Sequence, residues 1–183
     1  MRSTPKTRRG LLGLRGLHGL RLTAALAFTL AAAHSASAAK SGPPEPLQGV
    51  VTRVIDGDTL RFNVSGQPAV EVRLAQIDAP EICQPWGAES KRALSELALN
   101  KPAALRPTGR DPQGRSIGVL MVDGVSVNQR LVQEGHAWSL MGRNRRGPLI
   151  KEERMAQALD RGLHAARGAV KPADFLRGNG PCK

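Results

Sequence analysis

Two short runs of strict alternation, close behind a β-branched apolar run, constrain this chain more than any other feature. In "TLRFNV" Leu60, Phe62 and Val64 share one face, and Arg61 and Asn63 the other. "AVEVRLAQI" alternates in the same way through Val70, Val72 and Leu74. "GVVTRVI" before them is β-branched and apolar, and "SGQP" between the second and third is a turn. A period of two fits strands with one buried face, and tight turns between them imply an antiparallel meander.

The later chain adds helices. Ala93, Leu94, Leu97 and Ala98 fall on one face of residues 88–99, opposite Lys91 and Ser95. "PAALRP" is expected as a weak strand, "RDPQGR" as a polar turn, and "SIGVLMV" as a buried strand ended at Asp123-Gly124. Ser126 and Gln129 form a capping box before "VNQRLVQE", and Gly135 closes that helix. Pro148 suits a first helical position, and Ala156, Leu159 and Leu163 give a long helix its buried stripe. "AVKPADFLRGNGPCK" shows no period. Five strands with three helices make an α+β domain, compatible with a small closed barrel such as the OB-fold. Periodicity alone does not choose that fold over another α+β arrangement.

The first 38 residues are set aside from this domain. Six Lys or Arg and no acid precede the uncharged run "LTAALAFTLAAA", and "ASA" at residues 36–38 offers a signal-peptidase site. The run is short for a bilayer, which takes ~20 residues. An uncleaved anchor is the alternative. Arg8-Arg9 hints at a twin-arginine signal, but the residues after it match one poorly. The expectation is a signal peptide over 1–38, a flexible lead-in over 39–46, a domain over 47–167 and a tail over 168–183, in a periplasmic or secreted protein with no stable membrane insertion after cleavage. Removing six bases and no acids takes the net charge from +12 to +6 over 145 residues. That excess suits a polyanionic partner without requiring one.

Acids gather where strands end. Asp56 and Asp58 flank Gly57 in "VIDGDTLRF", and "VRLAQIDAPEICQPWG" adds Arg73, Asp78 and Glu81. Like charges this close need a positive partner: a metal ion, arginines, or both. Hard cations such as calcium take carboxylate and carbonyl oxygens, which suits Asp58, Asp78 and the Ala79 carbonyl. Attack on a phosphodiester builds negative charge that guanidinium forks stabilise. Arg73 and Arg115 are placed for this, and Glu81 for taking a proton from water. Each residue alone has a plain alternative as a turn acid or a polar strand position. Five residues separate Arg73 from Asp78, so strict alternation sets them on opposite faces unless the strand ends or kinks near Ile77.

Together, "VIDGDT", "VRLAQIDAPE", "DPQGR" and "VDGVSVNQRLVQEGHAW" resemble the thermonuclease family, the staphylococcal-nuclease-like domains, from about Gly49 to about Leu163. The resemblance implies an OB-fold barrel of five strands with three packed helices. It implies a calcium-dependent endonuclease, working as a monomer, that cuts DNA and RNA with little sequence preference and leaves 3′-phosphates. Carried onto this chain, it assigns metal binding to Asp58, Asp78 and the Ala79 carbonyl, with Asp56 nearby, phosphate binding to Arg73 and Arg115, and the general base to Glu81. A non-catalytic nucleic-acid-binding barrel and a cell-envelope interaction protein are the competing readings. The chain contains no tyrosine, so the family's aromatic platform is missing, and Pro112 and Gln113 replace a basic and an aromatic residue. Trp86 or Trp138 are the stacking substitutes, worth ~1–3 kcal/mol per base, and core packing is the other role open to Trp138. A Cys83–Cys182 disulfide would tie the tail to the loop carrying Glu81. Free thiols or a link between two chains are the alternatives.

Overall fold

The computed structural model describes residues 45–141, 146–165 and 168–182. The expected signal peptide and most of the lead-in lie outside them. β1 (Leu47–Val54), β2 (Thr59–Val64) and β3 (Val70–Leu74) form the meander, followed by a two-residue strand β4 (Ile77–Asp78). α1 (Gly87–Ala98) leads to β5 (Pro102–Arg110), β6 (Ser116–Val122) and a short β7 (Val125–Ser126). α2 (Val127–Gln133), β8 (Trp138–Ser139), α3 (Ile150–Ala158), a 3₁₀ turn (Gly162–Ala165) and α4 (Pro172–Asn179) complete the order.

The sheet closes on itself. β1 pairs antiparallel with β2 and with β5, β2 with β3, and β5 with β6. β3 runs parallel to β6, with Val72 opposite Ser116. Five strands in this order make the barrel, and closure removes the unpaired edges that an open sheet would expose. Alternation fills the interior with Val51, Leu60, Phe62, Val72, Leu74, Leu105 and Leu120, all buried. α1 lays Leu94 and Ala98 against this core, and α2 adds Leu131 and Val132. Each of the larger side chains, valine upward, contributes ~1.5–3 kcal/mol by leaving water.

Several elements differ from expectation. "PAALRP" is part of a full nine-residue strand, because pairing on both sides supplies what its prolines withhold. "SIGVLMV" buries only alternate residues. The capping box is half made: the Ser126 hydroxyl accepts from the Gln129 amide at 3.2 Å, while the Gln129 side chain donates to Glu152 at 2.9 Å. Pro148 sits in the turn before α3, not at its first position. α3 ends at Ala158, where Asp160 turns left-handed at φ 48°. Leu159 is therefore exposed, and Leu163 is buried from the 3₁₀ turn instead. The tail that shows no period holds a fourth helix, α4.

Candidate active site

The acid-rich stretches meet at one end of the barrel. Thr59 pairs with Arg73 across β2 and β3, so Asp58, one residue earlier, arrives beside the end of β3. The parallel pairing of β3 with β6 carries Arg115 to the same edge, one residue before Ser116. Gln76 turns the chain between β3 and β4 at φ 70°. That break resolves the conflict of facing between Arg73 and Asp78. The Arg73 Nη2 lies 3.1 Å from Asp58 Oδ2 and 3.1 Å from Asp78 Oδ1.

The aspartates are held from behind. Asp58 Oδ1 accepts from the Thr59 hydroxyl at 3.0 Å, and Oδ2 from the Ala79 N–H at 3.3 Å. Ala79 thus reaches Asp58 through its amide. Asp56 Oδ1 accepts from the Asp58 N–H at 2.9 Å, which shapes the turn. Gly57 is required there, because a Cβ would lie 2.7 Å from both the Ala79 and Ser90 Cβ atoms. "DGD" is therefore a turn pressed against α1. Asn128 secures the kink from α2: its side-chain amide donates to the Ala75 and Gly118 carbonyls at 2.8 and 3.2 Å, and its oxygen accepts from the Leu120 N–H at 2.9 Å.

Arg115 is fixed by the hairpin between β5 and β6. Its Nε donates to Asp111 Oδ2 at 2.6 Å, and its backbone N–H to Oδ1 at 2.9 Å. Desolvation acts to raise the Asp111 carboxyl, and these hydrogen bonds outweigh it, holding it below the ordinary range. Glu81 rides the loop after β4. Its N–H donates to the Gln84 side chain at 3.2 Å, and the Gln84 N–H returns to the Glu81 carbonyl at 2.8 Å. Gly87 allows this loop to close, since a Cβ there would run into the Glu81 carbonyl.

Asp56, Arg73, Glu81 and Arg115 line one open cleft of about 730 Å³. Burial pushes Asp58 up to about 7, against the pull of Arg73 and with a further push from Asp56. Burial also raises Asp78, opposed by Arg73 and by Lys171 just before α4. Glu81 is raised by burial first and by Asp56 next. These directions agree on one demand: acids drawn out of water beside one another need positive charge. Arg73 meets part of it. Among the described residues no group of three His, Cys, Asp or Glu side chains forms a metal site. The converging pair Asp58 and Asp78 fits a hard cation in chemistry, with backbone and water oxygens filling the other positions, as calcium and magnesium sites allow.

The two tryptophans do not enter this cleft. Trp138 is buried, and Trp86 stacks on His136 at 6.3 Å between ring centroids. Both line a second, apolar cavity of about 340 Å³ with Phe175 and Val170. Cys83 and Cys182 form a disulfide. Thr59, Asp111, Gln84 and Asn128 escaped the sequence reading. Only Asp111 carried a signal there, as the acid that opens the "DPQGR" turn.

A staphylococcal nuclease homologue family model matches residues 71–165. An uncharacterized endonuclease of Haemophilus influenzae is 33% identical over 127 residues, 69% of this chain and 71% of that protein. An uncharacterized endonuclease of Escherichia coli O157:H7 is 35% identical over 127 residues, covering 69% and 82%. The probable staphylococcal-like nuclease CAN1 of Oryza sativa subsp. japonica is 36% identical over 106 residues, 58% of this chain but 32% of that protein.

Proposed function

This chain belongs to the staphylococcal nuclease family, and on that premise we propose that it is an exported, calcium-dependent endonuclease. It hydrolyses DNA and RNA with little sequence preference and leaves 3′-phosphates. The observation that carries the reading is one constellation: Arg73 spans Asp58 and Asp78 at 3.1 Å each, and Arg73, Arg115 and Glu81 open on one cleft. The Cys83–Cys182 disulfide supports export, because such bonds persist in oxidising compartments. Among the described residues no helix is long and apolar enough to cross a membrane.

Each residue has a task that follows from its surroundings. Arg73 and Arg115 hold non-bridging phosphate oxygens and meet the charge that grows as phosphorus becomes five-coordinate. Asp111 keeps the Arg115 guanidinium in place before substrate arrives, so little reorganisation opposes the reaction. Glu81 accepts a proton from water as the water oxygen bonds to phosphorus; its raised carboxyl makes it a better base than an ordinary glutamate. The bond from phosphorus to the 5′ oxygen breaks, that oxygen takes a proton from the solvent of the open cleft and leaves as a hydroxyl, and the phosphate stays on the 3′ side. Asp58, Asp78 and the Ala79 carbonyl would hold calcium, which supplies positive charge beside the phosphate.

Kinetics of two variants test these roles. Arg115→Ala should lower turnover by ~10²–10³-fold, the usual cost of one preorganised donor, with the fold intact because the side chain faces a hairpin and a cleft. Glu81→Gln should cut turnover strongly while nucleic-acid affinity stays near wild type. A wild-type chain that binds nucleic acid and cuts none in any metal would establish a binding barrel instead.

A further inference from the structure

The hydrolysis uses the charged groups of the cleft and leaves its apolar part without a task. Most of that part comes from the tail: Leu176 of α4 and Pro181 line the same cleft as Arg73, Glu81 and Arg115, with Val70 of β3 the apolar residue from the barrel. Leu176 is half-buried and Pro181 exposed. Among the described residues no aromatic side chain lines this cleft, and Trp86, Trp138 and Phe175 all face the second cavity. A nucleotide is charged at its phosphate and largely apolar over its sugar and base faces. A cleft that grips the phosphate with arginines needs an apolar surface for the remainder.

The tail is anchored to the loop that carries the proposed base. Cys182 is bonded to Cys83, two residues after Glu81, and the Cys83 N–H donates to the Cys182 sulfur at 3.1 Å. The neighbouring Gln84 donates its side-chain amide to the Val170 carbonyl, just ahead of α4. Phe175, one residue from Leu176, packs into the second cavity with Trp86 and Trp138. α4 is thus wedged from one side and pinned at both ends, so Leu176 and Pro181 keep a fixed relation to Glu81.

We propose that Leu176 and Pro181 form the wall on which the nucleoside beside the scissile phosphate packs, and that the Cys83–Cys182 disulfide holds this wall in place. The inference rests on the nuclease reading of the same cleft. Aliphatic contact with a base or sugar face carries no hydrogen-bond code, so this wall accepts any base. It fits an enzyme with little sequence preference.

The test measures binding apart from cleavage. A fluorescein-labelled single-stranded DNA oligonucleotide is titrated by anisotropy, in calcium, against the Glu81→Gln protein and against the same protein carrying Leu176→Ala, Asn179→Ala, or Cys83→Ser with Cys182→Ser. Thermal unfolding is recorded for each. Leu176→Ala and the double serine variant should raise Kd roughly three- to tenfold, the scale of losing part of one leucine's buried surface, with Asn179→Ala within about twofold. Unchanged affinity in a folded Leu176→Ala protein overturns the proposal, whatever the serine variant does. Tighter binding once the disulfide is absent also overturns it, because the tail would then be a cover over the cleft. A parent protein that binds while wild type never cuts leaves the wall standing and removes the nuclease reading. A parent that binds no nucleic acid removes both.

Discussion

At the scale of single residues, Asp58 sets the terms on which a cation can enter. The residue is 3% exposed. Burial pushes it from 3.8 up to about 7, with Arg73 pulling down and Asp56 pushing up. The folded, metal-free protein therefore holds a proton that the unfolded chain releases near 3.8. Between those values the native state binds more protons than the unfolded state, so metal-free stability should fall as pH rises through the window. Calcium competes with the same proton, so its affinity should rise with pH and level off above about 7. Calorimetric titration a unit either side of that value checks both the affinity and the proton released. Equal calcium affinity at the two pH values, with no proton release, would contradict this role for Asp58. The residue types that carry charge here were legible in the sequence, because acids and arginines at strand ends stand out against apolar alternation. Thr59 and Gln84 were not. They act through short bonds inside turns, and such bonds depend on backbone geometry that spacing does not encode.

At the scale of elements, the site depends on a break between β3 and β4 that periodicity could only pose as a problem. Gln76 makes the turn, and Asn128 on α2 ties Ala75 beside it to Gly118 and Leu120 on β6. Replacing Asn128 by alanine leaves one buried N–H without its partner and removes a donor from two carbonyls. The expected cost is about 2–3 kcal/mol, read as a lower urea midpoint at unchanged slope. A midpoint equal to wild type would show that the kink needs no tether. The barrel strands were legible because alternation reports directly which face is buried. The helices were less so. α3 stops where Asp160 turns left-handed, and no helix-ending glycine or proline marks that point. α4 has eight residues and only Pro172 fully buried. A helix that short is marginal alone, and here it is fixed by Cys182, Gln84 and the cavity under Phe175. Long-range ties of this kind leave no period in the sequence. The disulfide itself was expected only because two cysteines stood alone in an export-like chain.

At the scale of the whole molecule, barrel closure and the tail make one cleft from distant parts of the chain. Strand pairing brings Arg73 and Arg115 to one edge, the loop after β4 brings Glu81, and the disulfide returns residues 176–182 to the same place. The charged lining comes from the barrel and its loops, and the apolar lining from Leu176 and Pro181 of the tail with Val70 of β3, which matches the two chemical halves of a nucleotide. The central claim is that this cleft hydrolyses phosphodiesters only with a cation beside Asp58 and Asp78. The most direct measurement is the cleavage rate of purified mature protein on DNA and on RNA, first with calcium, then with excess chelator, then with calcium restored. The account predicts cleavage of both polymers, its loss in chelator, and its return with calcium. Cleavage that proceeds equally in chelator, or a folded protein that never cuts in calcium, would contradict it.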